Sequence, residues 1–163
     1  MKYSLTTICL TLVLSLGTIS AAWSSDLQKG FAAKLRGDYA TALRLWRPLA
    51  IQGNMQAQTD LGVMYKHGKG VPKDSNTAVK WFTLAAEQGH YWAQFHLGLM
   101  YVEGRGVTQD YARAHMWWNI AISNGLEDAV TERDELAKRM TPADISAAQK
   151  LARECVRKKY KDC

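Results

Sequence analysis

The sequence predicts an all-α protein, an α/α solenoid of stacked helical hairpins with a C-terminal capping helix. Its central part, residues 57–125, contains nearly the same pattern twice at a spacing of 36 residues. Apolar residues recur there at helical spacing, and a glycine-containing loop separates the two helical segments of each copy. The matching positions are Ala57 and Ala93, Gln58 and Gln94, Leu61 and Leu97, Gly62 and Gly98, Met64 and Met100, Tyr65 and Tyr101, Gly68 and Gly104, Gly70 and Gly106, and Asp74 and Asp110. A fixed period of this size is typical of helical repeat proteins, in which each hairpin buries its apolar side against the next.

Residues 1–22 have the features of a secretory signal peptide. Residues 1–2 supply a positive charge, Ile8 to Leu16 are apolar, and Ser20 to Ala22 are small residues suited to cleavage after Ala22, or after Ser24. The apolar run is too short to form a stable transmembrane helix. We therefore expect an exported chain, periplasmic or secreted, with no membrane span after cleavage.

The solenoid is expected over residues 23–140 and begins with a hairpin at about 26–53. The second helix of this hairpin shares its register with two later helices, and we call these three the B helices. Aspartate, alanine, an aromatic residue and glycine recur in them at the same offsets. The matching sets are Asp38, Asp74 and Asp110; Ala42, Ala78 and Ala114; Trp46, Phe82 and Trp118; and Gly53, Gly89 and Gly125.

The first helix of each hairpin, which we call the A helix, has one apolar stripe in the hairpins at 55–89 and 91–125. Gln58, Asp60 and Lys66 are expected to lie outside this stripe. The stripe of the earlier hairpin consists of Ala57, Leu61, Met64 and Tyr65. This pattern predicts that one side of each A helix faces a neighbouring helix.

Glycine within the A helices predicts a close helix contact. Glycine costs about 1 kcal/mol relative to alanine in a helix, so Gly62 and Gly98 are expected to admit a facing helix. Asp74 and Asp110 are expected to cap the B helices, because a carboxylate accepts hydrogen bonds from the free amides of the first turn. Tryptophans at the repeated B positions lie beside alanines and are expected in the core: Trp46, Trp81, Trp117 and Trp118.

After Gly125 the period fades into a polar A helix, which we expect to act as a cap. Its charges are spaced for i,i+4 ion pairs, from Asp134 to Lys138 and from Glu135 to Arg139. Residues 141–163 are expected to form a capping helix and a basic tail, and Thr141-Pro142-Ala143-Asp144 has the pattern of a helix start. The apolar stripe of this helix is Ile145, Ala148, Leu151, Ala152 and Cys155. It is expected to shield the last repeat from water.

The repeated residues resemble a known family. The pattern A-Q-x-x-L-G-x-M-Y-x-x-G-x-G-V-x-x-D-x-x-x-A-x-x-W, closing in A-A-E-Q-G, is similar to the Sel1-like repeat, a relative of the tetratricopeptide repeat. With the shorter first hairpin, the resemblance covers Leu27 to Gly125. It implies a right-handed α-solenoid whose A helices line a concave face, and a protein that holds other proteins or peptides there.

The same resemblance implies a second possible function. Some cysteine-rich relatives are linked to the binding or hydrolysis of cell-wall material or β-lactams. That branch of the family has a disulfide in each repeat. Repeats 1 to 3 of this chain contain no cysteine. We therefore keep an envelope enzyme of that type as the alternative to a protein-interaction scaffold.

Six positions beside the core stripe are candidates for partner binding. The residues at these positions differ between the two matching A helices, whereas the core residues stay the same. Either a ligand-binding groove or neutral drift would produce this pattern. The candidates are Asp60, Val63 and His67, which match His96, Leu99 and Glu103. In the resembling family the place of Asp60 and His96 is commonly asparagine, which holds a peptide backbone. We expect an extended peptide or partner protein to bind these positions.

Composition and charge restrict the partners. The hydrophobic fraction of 47% is sufficient for a core, and the net charge of +6 falls to about +5 without Lys2. Basic residues do not alternate with aromatic ones, so nucleic acid is not expected. The tail is either solvated or a patch for an acidic envelope component, such as an anionic lipid or cell-wall polymer. Its basic residues are Arg153, Arg157, Lys158, Lys159 and Lys161.

Cys155 and Cys163 remain after signal cleavage, and an even number of cysteines in an oxidising compartment favours a disulfide. Eight residues on a straight helix span about 12 Å, which is beyond disulfide reach. The helix is therefore expected to end near Lys158, with the tail folded back.

Motifs for catalysis and metal binding are absent from the sequence. It contains no G-x-S-x-G, S-x-x-K, H-E-x-x-H or phosphate-binding glycine loop. The four histidines, His67, His90, His96 and His115, have no spacing typical of metal ligands. We expect no catalytic residue, metal or cofactor.

Overall fold

The computed structural model describes residues 25–163, which form eight α helices and no strand. The first helix, α1, covers 25–35. The others are α2 (Tyr39–Ile51), α3 (Met55–His67), α4 (Ser75–Ala86), α5 (Tyr91–Glu103), α6 (Tyr111–Ser123), α7 (Ala129–Ala137) and α8 (Pro142–Arg157). The predicted signal peptide at 1–22 lies outside the described residues. None of the helices in this part of the chain is long and apolar enough to cross a membrane.

Successive helices pack as antiparallel hairpins, and each hairpin packs on the next. Helix α3 contacts both α2 and α4, α5 contacts both α4 and α6, and α6 contacts α7 and α8. Helices α1, α3, α5 and α7 are the A helices, and α2, α4 and α6 are the B helices. The predicted fold class, an all-α solenoid of hairpins, is confirmed.

The helix ends follow the local sequence. The side chains of Asp38, Asp74 and Asp110 accept hydrogen bonds from first-turn amides of α2, α4 and α6, so the two predicted caps are confirmed. Helices α3 and α5 end at Gly68 and Gly104 with φ of 69° and 63°. A glycine adopts this left-handed conformation without the steric cost of a β-carbon.

Three glycines allow an aromatic ring of the B helix to touch the A-helix backbone. A β-carbon at these positions would lie 2.3 to 2.4 Å from a ring atom, which is far too close. The pairs are Gly30 with Trp46, Gly62 with Phe82, and Gly98 with Trp118. The indole nitrogens of Trp46 and Trp118 also donate to the carbonyl oxygens of Leu27 and Phe95, at 3.2 and 3.1 Å. The predicted close helix contact is therefore present in all three hairpins.

Tryptophan supplies much of the core. Trp46, Trp117 and Trp118 are buried as expected. Trp81 is half-buried and packs against the edge of the core cluster that contains Trp46. Large rings opposite fully buried alanines thus fill the space within and between hairpins.

Several polar residues of α3 are buried, contrary to the sequence-based expectation. Gln58, Asp60 and Lys66 are only 4%, 5% and 8% exposed. The buried amide of Gln58 is hydrogen-bonded at both its nitrogen and its oxygen: Nε2 donates to the carbonyl oxygen of Ala50 at 3.0 Å, and Oε1 accepts from Gln88 at 2.7 Å. Hydrogen bonding offsets the cost of taking a polar side chain out of water.

The same junction recurs one repeat later. Nε2 of Gln94 donates to the carbonyl oxygen of Ala86 at 3.2 Å, and its Oε1 accepts from Asn124 at 3.0 Å. Each glutamine therefore ties its own A helix to the end of the preceding B helix and to the end of its own B helix.

The C-terminal helices differ in detail from the prediction. Helix α7 is polar, but its ion pairs join Arg133 to Asp134 and Lys138 to Glu135, instead of the i,i+4 partners expected from helical spacing. These pairs lie near the solvent, where alternative partners differ little in energy. Helix α8 begins with the expected capping box of Thr141 and Asp144.

Helix α8 covers α6 with part of its apolar stripe. Ala148, Ala152 and Cys155 are buried, whereas Leu151 is 39% exposed. The helix ends at Arg157, and a disulfide joins Cys155 to Cys163 with the α-carbons 5.5 Å apart. The predicted end of the helix and the folded-back tail are both present.

The tail docks on the turns that end two B helices. Lys159, Tyr160 and Asp162 have positive φ, which turns the chain back toward Cys155. The ring of Tyr160 lies beside Gly89, and its hydroxyl donates to Oδ1 of Asn124 at 3.0 Å. Nζ of Lys161 contacts Oε2 of Glu87 at 2.8 Å.

Candidate functional site

The six predicted binding residues lie on α3 and α5. We call the surface formed by the A helices α1, α3, α5 and α7 the A-helix face. His67 and Glu103 are exposed, Val63, His96 and Leu99 are half-buried, and Asp60 is buried. The six positions therefore include both solvent-facing and internal side chains, and each needs its own description.

Asp60 is held by the protein itself. Its Oδ1 accepts from Nζ of Lys34 at 2.7 Å, and its Oδ2 accepts from Nε2 of Gln56 at 2.9 Å. The Lys34 ammonium also lies 5.6 Å from the ring centres of Phe31 and Trp46. The Lys34–Asp60 ion pair fixes α1 against α3, so the first predicted position is already occupied by an internal contact.

His96 is stacked and incompletely hydrogen-bonded. Its ring lies 4.9 Å from that of Phe82 and 5.8 Å from that of Phe95. Its Nδ1 is buried and has no hydrogen-bond partner among residues 25–163. Burial lowers the pKa of His96 to about 3, with further lowering by the positive charges of Lys66 and other basic groups. The ring is therefore neutral at pH 7.

Lys66 is 8% exposed as a whole residue, and its ammonium has no close counter-ion. The side chain makes no ion pair or hydrogen bond within the described part of the chain. Burial lowers the pKa of Lys66, while the negative charge of Glu103 acts in the opposite direction. Glu103 itself contacts Nε of Arg105 at 3.4 Å. The ammonium of Lys66 on α3 thus has no anion within ion-pair distance among the described residues, and Glu103 on α5 is the carboxylate that acts on it.

The remaining predicted positions border these groups. Val63 packs against the core cluster that contains Phe82, and Leu99 packs against the cluster that contains Trp118. His67 is the last residue of α3, and burial followed by the charge of Lys66 lowers its pKa.

Sequence reasoning did not select Lys66, Lys34 or Glu132, which the structure places among the polar groups of the A helices. Oε2 of Glu132 on α7 is buried and has no hydrogen-bond partner among the described residues. Charged residues are usually assigned to the solvent when only a sequence is available. The sequence signal that could have identified these charged residues is their fixed spacing from the glycine positions of the A helices, namely Gly30, Gly62 and Gly98.

An open cavity of about 350 Å³ lies where α1, α2 and α3 meet. Its walls are mainly apolar, with an aspartate and two glutamines at the edge. The lining residues are Leu27, Gln28, Phe31, Trp46, Gln56 and Asp60. This cavity extends the A-helix face toward the start of the solenoid.

Aromatic rings continue along the start of α5. Tyr91 and Trp92 are 38% and 39% exposed, and Trp92 meets Phe95 edge to face at 5.9 Å. Beside them, His90 is anchored by Thr59 Oγ1 at 3.0 Å and by Gln56 Oε1 at 3.1 Å. Apolar and hydrogen-bonding groups therefore alternate along this edge.

Other expected features can also be located. Within residues 25–163 there is no group of three or more histidine, cysteine or carboxylate side chains arranged for a metal ion. The disulfide is in the tail and none lies in a repeat. Arg153 and Arg157 are exposed on α8, and Lys158 and Lys159 are exposed in the tail that follows it. Their binding to an acidic envelope component stays a prediction.

Comparisons with known proteins agree on one family. Residues 56–90 and 93–126 match the family model described as Sel1 repeat. The crystal structure of a protective antigen of uropathogenic Escherichia coli with an SLR fold is similar, with 32% identity and a TM-score of 0.79. That match covers 85% of this chain and 30% of the antigen.

A Sel1 repeat protein from Oxalobacter formigenes is also similar, with 31% identity and a TM-score of 0.63. The match covers 67% of this chain and 45% of that protein. The chain thus spans less than half the length of either solved structure. No curated protein matches the chain. The two matched repeats, together with a solenoid shared at over 30% identity, identify the chain as a Sel1-repeat protein.

Proposed function

We propose that this protein is an exported scaffold that holds an extended peptide, or an extended segment of a partner protein, on its A-helix face. The observation that supports it best is at Lys66 and His96, where the buried Nδ1 of His96 lacks a hydrogen-bond partner and the ammonium of Lys66 makes no ion pair within the described part of the chain. Buried polar atoms are normally hydrogen-bonded, so Nδ1 of His96 favours a partner from outside residues 25–163, and the positive charge of Lys66 favours an acidic group in that partner.

The surroundings of this pair support a peptide ligand. Half-buried Val63 and Leu99 supply apolar contacts, and the cavity beside Phe31 could receive a side chain. Peptides are commonly bound through a few polar anchors between apolar pockets. Sel1-repeat proteins generally act as interaction scaffolds, which agrees with this use of the face.

Site-specific crosslinking tests the proposal. A photo-reactive amino acid is placed at His67 or Glu103, which are exposed ends of A helices, and as a control at Lys80, which is exposed on the B helix α4. After illumination in the producing cells, we expect partner crosslinks from the first two positions and few from Lys80. Crosslinks obtained only from Lys80, or from none of the three positions, would contradict the proposal.

Export is tested separately. The tail disulfide is compatible with an oxidising compartment. We expect the full chain to be recovered outside the cytoplasm with an N-terminus near Trp23 or Ser25. As a control, a version of the chain that begins at Ser25 should stay in the cytoplasm with reduced cysteines. If this version and the full chain were found in the same compartment, export would be contradicted.

A further inference from the structure

The A helices share a register that allows residue positions to be compared from repeat to repeat. Each of Gly30, Gly62 and Gly98 touches the aromatic ring of its own B helix. Helix α7 keeps this register although Asp134 replaces the glycine. The buried positions that show it are Ala57, Ala93 and Ala129, and Met64, Met100 and Leu136.

Two positions in this register form what we call a rung between adjacent A helices. The first position lies four residues after the central glycine of one A helix, as Lys34 does after Gly30. The second lies two residues before the central glycine, or its replacement, in the next A helix, as Asp60 does before Gly62. The three rungs are Lys34 with Asp60, Lys66 with His96, and Val102 with Glu132. The rungs therefore compare the same place at three steps along the A-helix face.

The first rung is complete. Nζ of Lys34 lies 2.7 Å from Oδ1 of Asp60, so the cation and the anion neutralise each other. The side chain of Asp60 is 7% exposed and that of Lys34 is 28% exposed, which makes this a partly buried pair. It shows what the geometry of a rung provides when both charges are present.

The second rung has a cation without an anion. Lys66 occupies the place of Lys34, but His96 occupies the place of Asp60, and a neutral imidazole cannot compensate an ammonium. Lys66 is the foremost charged group that lowers the pKa of His96, so the two side chains are close enough to interact. The positive charge of Lys66 has no anion at ion-pair distance among residues 25–163, and a carboxylate placed between these groups would form the ion pair that the first rung already has.

The third rung has an anion without a cation. Val102 occupies the place of the lysine, and Oε2 of Glu132 is buried with no hydrogen-bond partner among residues 25–163. The group missing here is an ammonium or guanidinium. The missing charges of the second and third rungs are thus opposite in sign and lie on neighbouring steps.

We infer that the second and third rungs bind an extended peptide that places an acidic side chain between Lys66 and His96 and a basic side chain against Glu132. This inference rests on the proposed function, since it specifies the ligand of the same face. Adjacent helices lie roughly 8–10 Å apart, and an extended peptide advances about 3.3 Å per residue. The acid and the base should therefore be about three residues apart.

Binding of short fluorescent peptides to the purified protein tests the pairing of charges. The peptides share a neutral background and contain glutamate and lysine three residues apart in either order, with glutamine replacing one or both in the controls. Anisotropy titrations should show one order bound at least tenfold more tightly than each single-glutamine control. Equal affinity for charged and neutral peptides would overturn the inference and leave the scaffold proposal standing. No binding by any peptide would count against both.

Variants assign each charge to its rung. Lys66→Met should remove the preference for glutamate but keep that for lysine, and Glu132→Gln should do the reverse. Lys80→Met and Glu127→Gln are matched controls, because both residues are exposed away from the rungs, and they should leave affinities within about twofold. Loss of the two preferences together, or in a control, would contradict the assignment.

His96→Asp gives an independent test, because it recreates the Lys34–Asp60 arrangement inside the protein. We expect this variant to unfold at a higher temperature than the parent and to bind the glutamate peptide no better than its glutamine control. A glutamate preference that survives in a folded His96→Asp protein would overturn the inference. If the variant fails to fold, the Lys66→Met result decides.

Discussion

Glycine at the centre of the first three A helices determines how closely the B helix can approach. At Gly62 the ring of Phe82 occupies the space that a β-carbon would need, and Phe82 is fully buried. The same contact with tryptophan is found at Gly30 and Gly98. The helix-propensity cost of glycine is therefore offset by ring-to-backbone packing in every hairpin.

Replacing Gly62→Ala is expected to destabilise the protein. The new methyl group would lie 2.4 Å from the Phe82 ring, and overpacking a fully buried ring costs about 1–3 kcal/mol. The better helix propensity of alanine recovers up to about 1 kcal/mol of this cost. Urea unfolding measures this loss. In a Phe82→Ala background the same substitution should cost much less, and an equal cost in both backgrounds would contradict the packing explanation.

At the scale of elements, the C-terminal tail acts as one unit with α8. The Cys155–Cys163 disulfide closes the turn, and Tyr160 and Lys161 then reach the ends of two different B helices. The tail thereby links the capping helix to both central hairpins.

Cys163→Ser should lower the free energy of unfolding by about 2–3 kcal/mol, because a short closed loop restricts the unfolded chain. The docked turn, with its positive-φ residues, should also be lost. Urea unfolding with and without reductant measures the effect. Tyr160→Phe, which removes one hydrogen bond, should cost only about 1 kcal/mol. An unchanged transition in Cys163→Ser would refute this role.

Most elements followed from the sequence because their signals are local. Asp74 and Asp110 cap helices through contacts within one turn. A glycine inside a helix indicates that another group packs closely on that helix, whichever residue it belongs to, as at Gly62 and Gly98. The burial of Lys66 and the junctions of Gln58 could not be predicted in this way. Oε1 of Gln58 meets Gln88, which is 30 positions away, and a side chain's polarity alone assigns it to the solvent.

At the scale of the whole molecule, burial affects all four histidines in the same direction. The pKa values of His67, His90, His96 and His115 are all lowered, with burial as the largest cause in each case. The folded protein therefore favours neutral imidazoles at several places along the solenoid.

Stability should consequently fall on acidification. Above pH 6.5 the histidines are neutral in both the folded and the unfolded chain, so their contribution is fully present. Below pH 6.5 the unfolded chain takes up protons first, and His96 alone can remove at most about 1.4 kcal/mol per pH unit until its folded pKa of about 3 is reached. Urea unfolding at pH 7.5 and 5.0 measures the slope. His96→Gln should flatten it, and an identical slope would contradict the assignment.

The glutamine junctions of Gln58 and Gln94 have a consequence for how such a molecule can change in length. In both glutamines, Nε2 donates to the preceding hairpin and Oε1 accepts from the glutamine's own hairpin. The two junctions between hairpins, which we call seams, are therefore interchangeable. A duplicated 36-residue unit inserted at either seam would meet complementary donors and acceptors on both sides. Evolution or an engineer can therefore lengthen the protein by whole modules without devising a new interface.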